Sequence, residues 1–228
     1  MKRFFEIGGV VAGVVLIAFG VAAIVLGING KNTIANELKQ QQIVGTPDMT
    51  PKGIAAEVTS AKLKDVGPGK AIPLPTCSVA NLPVNNGSRA RCFAEYMKIH
   101  ALESTGGYVY AQMGIYTAAP NTPKSQLMPG GGTNNTMYAA LDPTTQQPVQ
   151  NGTRNVWVTE TALTGALNSS YMADQMANFG LVVGAALLLS GFGFMILALG
   201  GALENEFWFF KRNAVKDASS AKATPLSV

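Results

Sequence analysis

The sequence predicts a mainly α protein in which two transmembrane helices flank a small, mostly helical, disulfide-containing extracytoplasmic domain. Three observations predict it. Two long runs are apolar and uncharged, both cysteines lie between those runs, and the intervening segment alternates helical apolar spacing with Pro/Gly punctuation. Of the 228 residues, 47% are hydrophobic and 13% charged, against a charged share of about 25% in an ordinary soluble domain. That balance argues against a cytosolic enzyme.

The first run, Ile7 to Ile28, holds 22 residues without a charge. At ~1.5 Å rise per residue it matches the ~30 Å hydrocarbon core of a bilayer. It is read as transmembrane helix 7–28, following a short cytoplasmic N-terminus, 1–6. Met1-Lys2-Arg3 also resembles the positive start of a cleaved secretory signal. The apolar part of such a signal is only about 7–15 residues long, and no small-x-small cleavage site closely follows Ile28. An uncleaved anchor is the preferred reading. The second run lies between Asp174 and Glu204 and spans 29 uncharged residues; its apolar heart, 179–203, is read as the second transmembrane helix. With no charge inside either span, nothing suggests a proton relay, voltage sensor or ion pathway.

Orientation follows from the short flanks, because charges in the long intervening segment, 29–178, do not count in the positive-inside comparison. Lys2 and Arg3 precede the first span; Lys211, Arg212, Lys216 and Lys222 follow the second. Both termini are therefore expected in the cytoplasm and the central domain outside, in a multi-pass plasma-membrane protein. Phe4, Phe5 and the run Phe207-Trp208-Phe209-Phe210 stand where interfacial aromatics belong. The polar tail, 204–228, is expected to become disordered toward its end.

Small residues in the spans are regularly placed. Gly9 and Gly13 form a GxxxG pair, Gly13, Gly20 and Gly27 repeat every seven residues, and Gly180, Gly184 and Gly191 supply a second row. Such rows allow helix backbones to approach closely. They are expected either to pack the two spans of one chain together or to bind another membrane subunit or a second copy.

Between the spans, Cys77 and Cys92 have 14 residues between them. An exported loop meets an oxidising compartment, so a structural disulfide is expected. A metal pair or a catalytic thiol finds no support, since the spacing is far from C-x-x-C and the chain has one histidine, His100. A short helix is expected from Thr33 to Gln42. A second should start at Thr50-Pro51, with threonine as N-cap and proline at the first helical position, and run to about Lys64. Gly67-Pro68-Gly69 and the prolines Pro73, Pro75 and Pro83 then forbid regular structure. The clearest helix starts near Ser88, shows the stripe Cys92, Phe93, Tyr96, Met97, His100, and stops at Gly106-Gly107.

His100 stands three residues before Glu103 and can be imagined as a general base held by a carboxylate. No nucleophile motif accompanies it, so a hydrolase is the weakest functional reading, and no catalytic, cofactor-binding or metal-binding residues are assigned. A single histidine also excludes the two-His-one-carboxylate iron triad and most catalytic zinc sites. Tyr108 to Tyr116 fits strand and helix equally. Pro120 to Thr136, with Gly130-Gly131-Gly132, reads as a flexible surface loop. The glycines are not a phosphate loop, because no Gly-Lys-Ser/Thr follows. The N-x-Ser/Thr sites at Asn86, Asn134, Asn151 and Asn168 are read as chance in a chain rich in Asn and Thr. From Thr153 to Asn178 a proline-free helix, with Val156, Leu163, Leu167 and Tyr171 on one face, should run directly into the second span.

Three stretches carry a resemblance: Asn36-Glu37-Leu38-Lys39 through Val44-Gly45-Thr46-Pro47-Asp48-Met49-Thr50-Pro51, then Met97-Lys98-Ile99-His100-Ala101-Leu102-Glu103-Ser104-Thr105-Gly106-Gly107, and Trp157-Val158-Thr159-Glu160-Thr161-Ala162-Leu163. In these the chain resembles a family of actinobacterial membrane proteins with two spans and an extracytoplasmic domain. The resemblance implies topology and transfers no catalytic or ligand residues. Some members carry the label of aromatic ring-opening dioxygenase; that chemistry needs more imidazole than His100 provides.

The function expected from the sequence is therefore a non-enzymatic integral membrane protein, an accessory or structural subunit of a larger membrane or cell-envelope complex. Its partners would be the lipid bilayer and other membrane subunits or itself. The net charge of +4 contains no dense basic run, which leaves no nucleic-acid partner. The alternative is an extracytoplasmic sensor or a module binding a small ligand or lipid. It would need an apolar pocket, for which Tyr96, Met97, Tyr110, Met113 and Tyr116 supply suitable side chains.

Overall fold

A computed structural model describes residues 2–61, 63 and 73–200. The expected Gly67-Pro68-Gly69 turn, the end of the second span beyond residue 200, the aromatic run 207–210 and the basic tail lie outside the described residues. The protein is mainly helical, with α1 (Lys2–Gln40), α2 (Pro51–Ser60), α3 (Gly87–Ser104) and α4 (Gly152–Leu199). The chain divides into two compact units. One contains the described residues up to Asn29 and from Ala177 onward; the other is Gly30–Met176.

In the first unit, α1 and α4 form an antiparallel pair, and both are long and apolar enough to cross a membrane. Their seam is built from steps of seven residues in each helix. A Cβ on Gly20 would stand 2.8 Å from the Gly184 carbonyl oxygen, and one on Gly184 would stand 2.8 Å from that of Gly20. Gly13 and Gly191 repeat the same reciprocal relation at 2.8 Å, and Gly27 approaches the Ala177 carbonyl at 2.9 Å. Gly9 faces the Ala198 side chain, whereas Gly180 has only an ordinary 3.6 Å approach to Ala23. Backbones this close leave no room for side chains, which is the condition under which small residues join helices. Away from the seam, large apolar side chains such as Phe19, Leu26, Phe179 and Leu189 are exposed.

In the second unit, residues Gly30 to Gln40 continue α1 instead of forming the separate helix expected from Thr33 to Gln42. An isolated glycine costs a helix only about 1 kcal/mol, and Ile34 and Leu38 recover it by packing into the core. α2 begins as its sequence implies: Pro51 occupies the first turn and the Thr50 side chain accepts a hydrogen bond from the Gly53 amide at 3.0 Å. It buries Ile54 and Val58 completely and runs to Ser60; the expected end at Lys64 lies outside the described residues.

α3 is capped by Asn86, not Ser88; the asparagine side chain accepts from the Arg89 amide at 2.9 Å. Asparagine serves this role as well as serine does. Gly106 and Gly107 leave the helix with positive φ, 65° and 84°. The buried face of α3 includes Ala90, Cys92, Phe93, Ala94, Tyr96 and Ile99. Cys92 is bridged to Cys77, with Cα atoms 6.1 Å apart, and the Tyr96 hydroxyl donates to the Cys77 carbonyl at 2.6 Å. The disulfide thus pins the proline-rich segment to α3.

Two irregular regions complete this unit. Segment 43–49 is laced to 79–84 through Val84 N–H to Ile43 O (2.8 Å), Gly45 N–H to Leu82 O (3.0 Å) and Asn81 N–H to Gly45 O (2.9 Å). A Cβ on Gly45 would collide with the Val79 carbonyl at 2.0 Å, so glycine is required there. Farther on, β1 (Tyr116–Thr117) pairs antiparallel with β2 (Gly132–Thr133). Residues 120–136, expected as a flexible surface loop, carry two short helical turns and the strand β2. Gly130 and Gly131 turn the chain with positive φ, and Thr133 is fully buried. Asparagine side chains stand in for a regular ladder: Asn134 accepts from the Ile115 amide and Asn151 donates to the Gly114 carbonyl.

Candidate functional site

The strongest convergence of chemically competent side chains lies within the Gly30–Met176 unit, at Asp48, Glu57 and His100. Each comes from a different segment. Asp48 precedes the α2 cap, on the stretch held by the lacing to 79–84; Glu57 sits two turns into α2; His100 faces them from α3. Gly53 lets the turn close, because a Cβ there would stand 2.4 Å from the Asp48 carbonyl oxygen.

His100 Nε2 lies 2.9 Å from Asp48 Oδ2 and 3.5 Å from Glu57 Oε2, so one imidazole nitrogen serves two carboxylates. Single ligand-type atoms from the three residues all fall within 4.8 Å of one another. The side chains are a quarter to a third exposed, which leaves the cluster reachable from solvent.

The two carboxylates are driven in opposite directions. Burial works to raise Asp48, but hydrogen bonds from the Thr46 side chain and from its own backbone amide, with the charge and hydrogen bond of His100, outweigh burial and hold Asp48 below its ordinary value. Glu57 is raised by burial first and then by the negative charge of Asp48; His100 opposes this in part, and Glu103 adds to it. Two neighbouring carboxyls with diverging proton affinities are the expected outcome when like charges share one site.

His100 also lines a groove of about 410 Å³ between α3 and the early part of α4. Met97, Ala101 and Ser104 form one wall, and Val156, Thr159, Glu160 and Leu163 the other. Glu160 is buried and accepts from the Thr161 hydroxyl at 3.4 Å. A second groove, about 520 Å³, lies against Tyr110, Trp157, Val158, Thr161 and Ala162. There the Arg154 guanidinium stacks over the Tyr110 ring at 3.7 Å, and the Trp157 indole donates to the Tyr108 carbonyl at 2.9 Å.

The structure changes what the sequence suggested about His100. Its carboxylate partners are Asp48 and Glu57, whereas Glu103, the sequence neighbour, acts on Glu57 only through its charge. Asp48 and Glu57 were missed because they lie 52 and 43 residues away in the chain; the signal available was the turn Thr46-Pro47-Asp48-Met49-Thr50-Pro51, which fixes an acidic residue beside a helix start. Of the side chains considered for an apolar pocket, Tyr96 and Met113 are spent in the core, Met97 lines the first groove and Tyr110 the second. No protein-family model matches the chain, and no curated protein or solved structure is similar to it.

Proposed function

We propose that the chain is a non-enzymatic integral membrane protein, an accessory subunit of a membrane or cell-envelope complex. In this reading α1 and α4 anchor the chain, both termini are cytoplasmic, and Gly30–Met176 is the extracytoplasmic domain that meets the partner. The observation that carries the reading is the seam of α1 and α4: the glycine rows, Gly180 apart, are spent within the chain, and what remains outward is a coat of large apolar side chains. Such a coat suits lipid. With the glycines occupied, recognition of a partner falls to the domain, where Tyr110, Val158, Met137 and Leu141 are exposed apolar side chains.

The test is purification of the tagged full-length protein from its native membrane in a gentle detergent, with mass spectrometry of what stays bound after a salt wash. A stoichiometric protein partner is expected. Recovery of the protein with a bound lipid or small molecule and no protein partner favours the second reading, a ligand-binding domain. That alternative is supported by the mostly apolar groove between Met97 and Leu163, which His100 and the buried Glu160 also line.

A further inference from the structure

We propose that Asp48, Glu57 and His100 form a binding site for one divalent transition-metal cation of the zinc type. The inference is independent of whether the protein is an accessory subunit, and the site serves to hold α2, the segment before it and α3 together.

The donor set fits the ion. Two carboxylates and one neutral imidazole supply two negative charges, which a divalent cation neutralises. Zn²⁺ takes ligands of both kinds at about 2.0–2.2 Å, so donors around one tetrahedral ion lie roughly 3.3–3.6 Å from each other. The 3.5 Å separation from His100 Nε2 to Glu57 matches that spacing, the 2.9 Å separation to Asp48 is a few tenths of an ångström shorter, and all three donors sit within 4.8 Å. Only small side-chain adjustments are required for the ion to enter. Oxygen-only sets favour Mg²⁺ or Ca²⁺, whereas an imidazole beside carboxylates turns preference toward the first-row metals.

The surroundings support the assignment on separate grounds. Glu103 adds negative charge near Glu57, and the partial exposure of all three side chains gives the ion a way in and leaves a coordination position for water. The ligands also come from segments already fixed: Asp48 by the lacing to 79–84, Glu57 by a capped helix, His100 by the disulfide-pinned α3. A site built on such supports does not have to order its ligands when the ion arrives.

The experiment uses tag-free full-length protein in detergent, stripped with a chelator and titrated with Zn²⁺, Mn²⁺ and Ca²⁺. Bound metal is counted by equilibrium dialysis, and the thermal midpoint is followed in parallel. The expected result is one Zn²⁺ per chain, a midpoint that rises with Zn²⁺ concentration, and weaker or no binding of Ca²⁺. His100→Ala and Glu57→Gln should each weaken Zn²⁺ binding by at least about a hundredfold, since loss of even an outer supporting group costs about 10–100-fold. Asp48→Asn should do the same. Glu95→Gln, which removes an exposed carboxylate from the same helix, should leave binding unchanged. Circular dichroism on each variant before metal is added separates loss of the site from loss of the fold, and Glu57→Gln remains informative should His100→Ala fail to fold. The proposal is overturned if wild-type protein retains no Zn²⁺ above the detergent blank, if Ca²⁺ binds more tightly than Zn²⁺, or if folded Glu57→Gln binds as wild type does.

Discussion

The α1–α4 pair and the Gly30–Met176 unit are held together in contrasting ways. The helix pair relies on repetition: one kind of residue, glycine, recurs every seven positions on both helices, and the same backbone approach is made again and again. The seam itself is made by backbone and apolar side chains, and the ion pair between the same two helices, Lys31 with Asp174 at 3.7 Å, lies beyond it. In the other unit almost nothing repeats. A core around Ile54, Val58, Val79, Tyr96 and Ile99 is closed by one disulfide, by the lacing of 43–49 to 79–84, and by asparagine side chains that bond to backbone groups far away in sequence. A repeated contact degrades by degrees when one step is lost, whereas a set of singular contacts contains individual members whose loss is costly.

The largest expected effect falls on such a member. Replacing both Cys77 and Cys92 with serine opens a loop with sequence separation 15 and should lower the stability of the Gly30–Met176 unit by about 3 kcal/mol on the chain-entropy account. Denaturant titration followed by Trp157 fluorescence reads it, and the helicity of the apolar part of the α1–α4 pair should not change. An unchanged midpoint would show that the lacing, and not the bridge, closes this core.

Gly20→Leu places a large side chain against the Gly184 carbonyl and Leu188. Overpacking of this kind costs about 2 kcal/mol and should separate the helices, measured as faster cleavage or earlier unfolding in detergent. Gly193→Leu, at a position with nothing within 4 Å of an added Cβ, is the matched control and should behave as wild type. If the two variants are equally harmful, the seam is not where the helices meet.

Tyr96→Phe removes the hydroxyl that donates to the Cys77 carbonyl at 2.6 Å. With the ring's packing retained, the loss should be about 1 kcal/mol, visible in the same denaturant titration as a small displacement of the midpoint without a change in slope.

The smallest effect is expected in the Asp142 turn. The backbone amides of Thr145 and Thr144, then the Thr145 hydroxyl, hold this carboxyl below its ordinary value of 3.8. A depressed carboxyl contributes stability above its unfolded pKa and loses it as pH falls through the lower folded value. Wild type should therefore lose a little stability below pH 3.8 that Asp142→Asn does not lose. Thermal midpoints taken from about pH 5 down to about pH 2 check the difference, and parallel curves would show that the turn forms without the charge.

Much of this was legible in the residues. The uncharged length of the two runs, the Thr50-Pro51 start of α2, the long proline-free helix from residue 153 and the Cys77–Cys92 pairing all depend on contacts close in sequence, on composition, or on there being one possible partner. Asn86 in place of Ser88 as the α3 cap is a displacement of two residues between equally good capping types. The course of 114–151 was not legible: its bonds join Asn134 to Ile115 and Asn151 to Gly114, and short irregular pairings leave no hydrophobic period to read.

The residues alone decided where the chain is apolar enough to enter a membrane and where helices start, because hydropathy, capping and proline geometry act within a few positions. Tertiary structure alone decided that Gly13 meets Gly191 and Gly20 meets Gly184, and that His100 turns to Asp48 and Glu57 and not to Glu103. Both outcomes depend on which distant segments approach, and a side chain's chemistry is set by the neighbours that folding brings within a few ångströms.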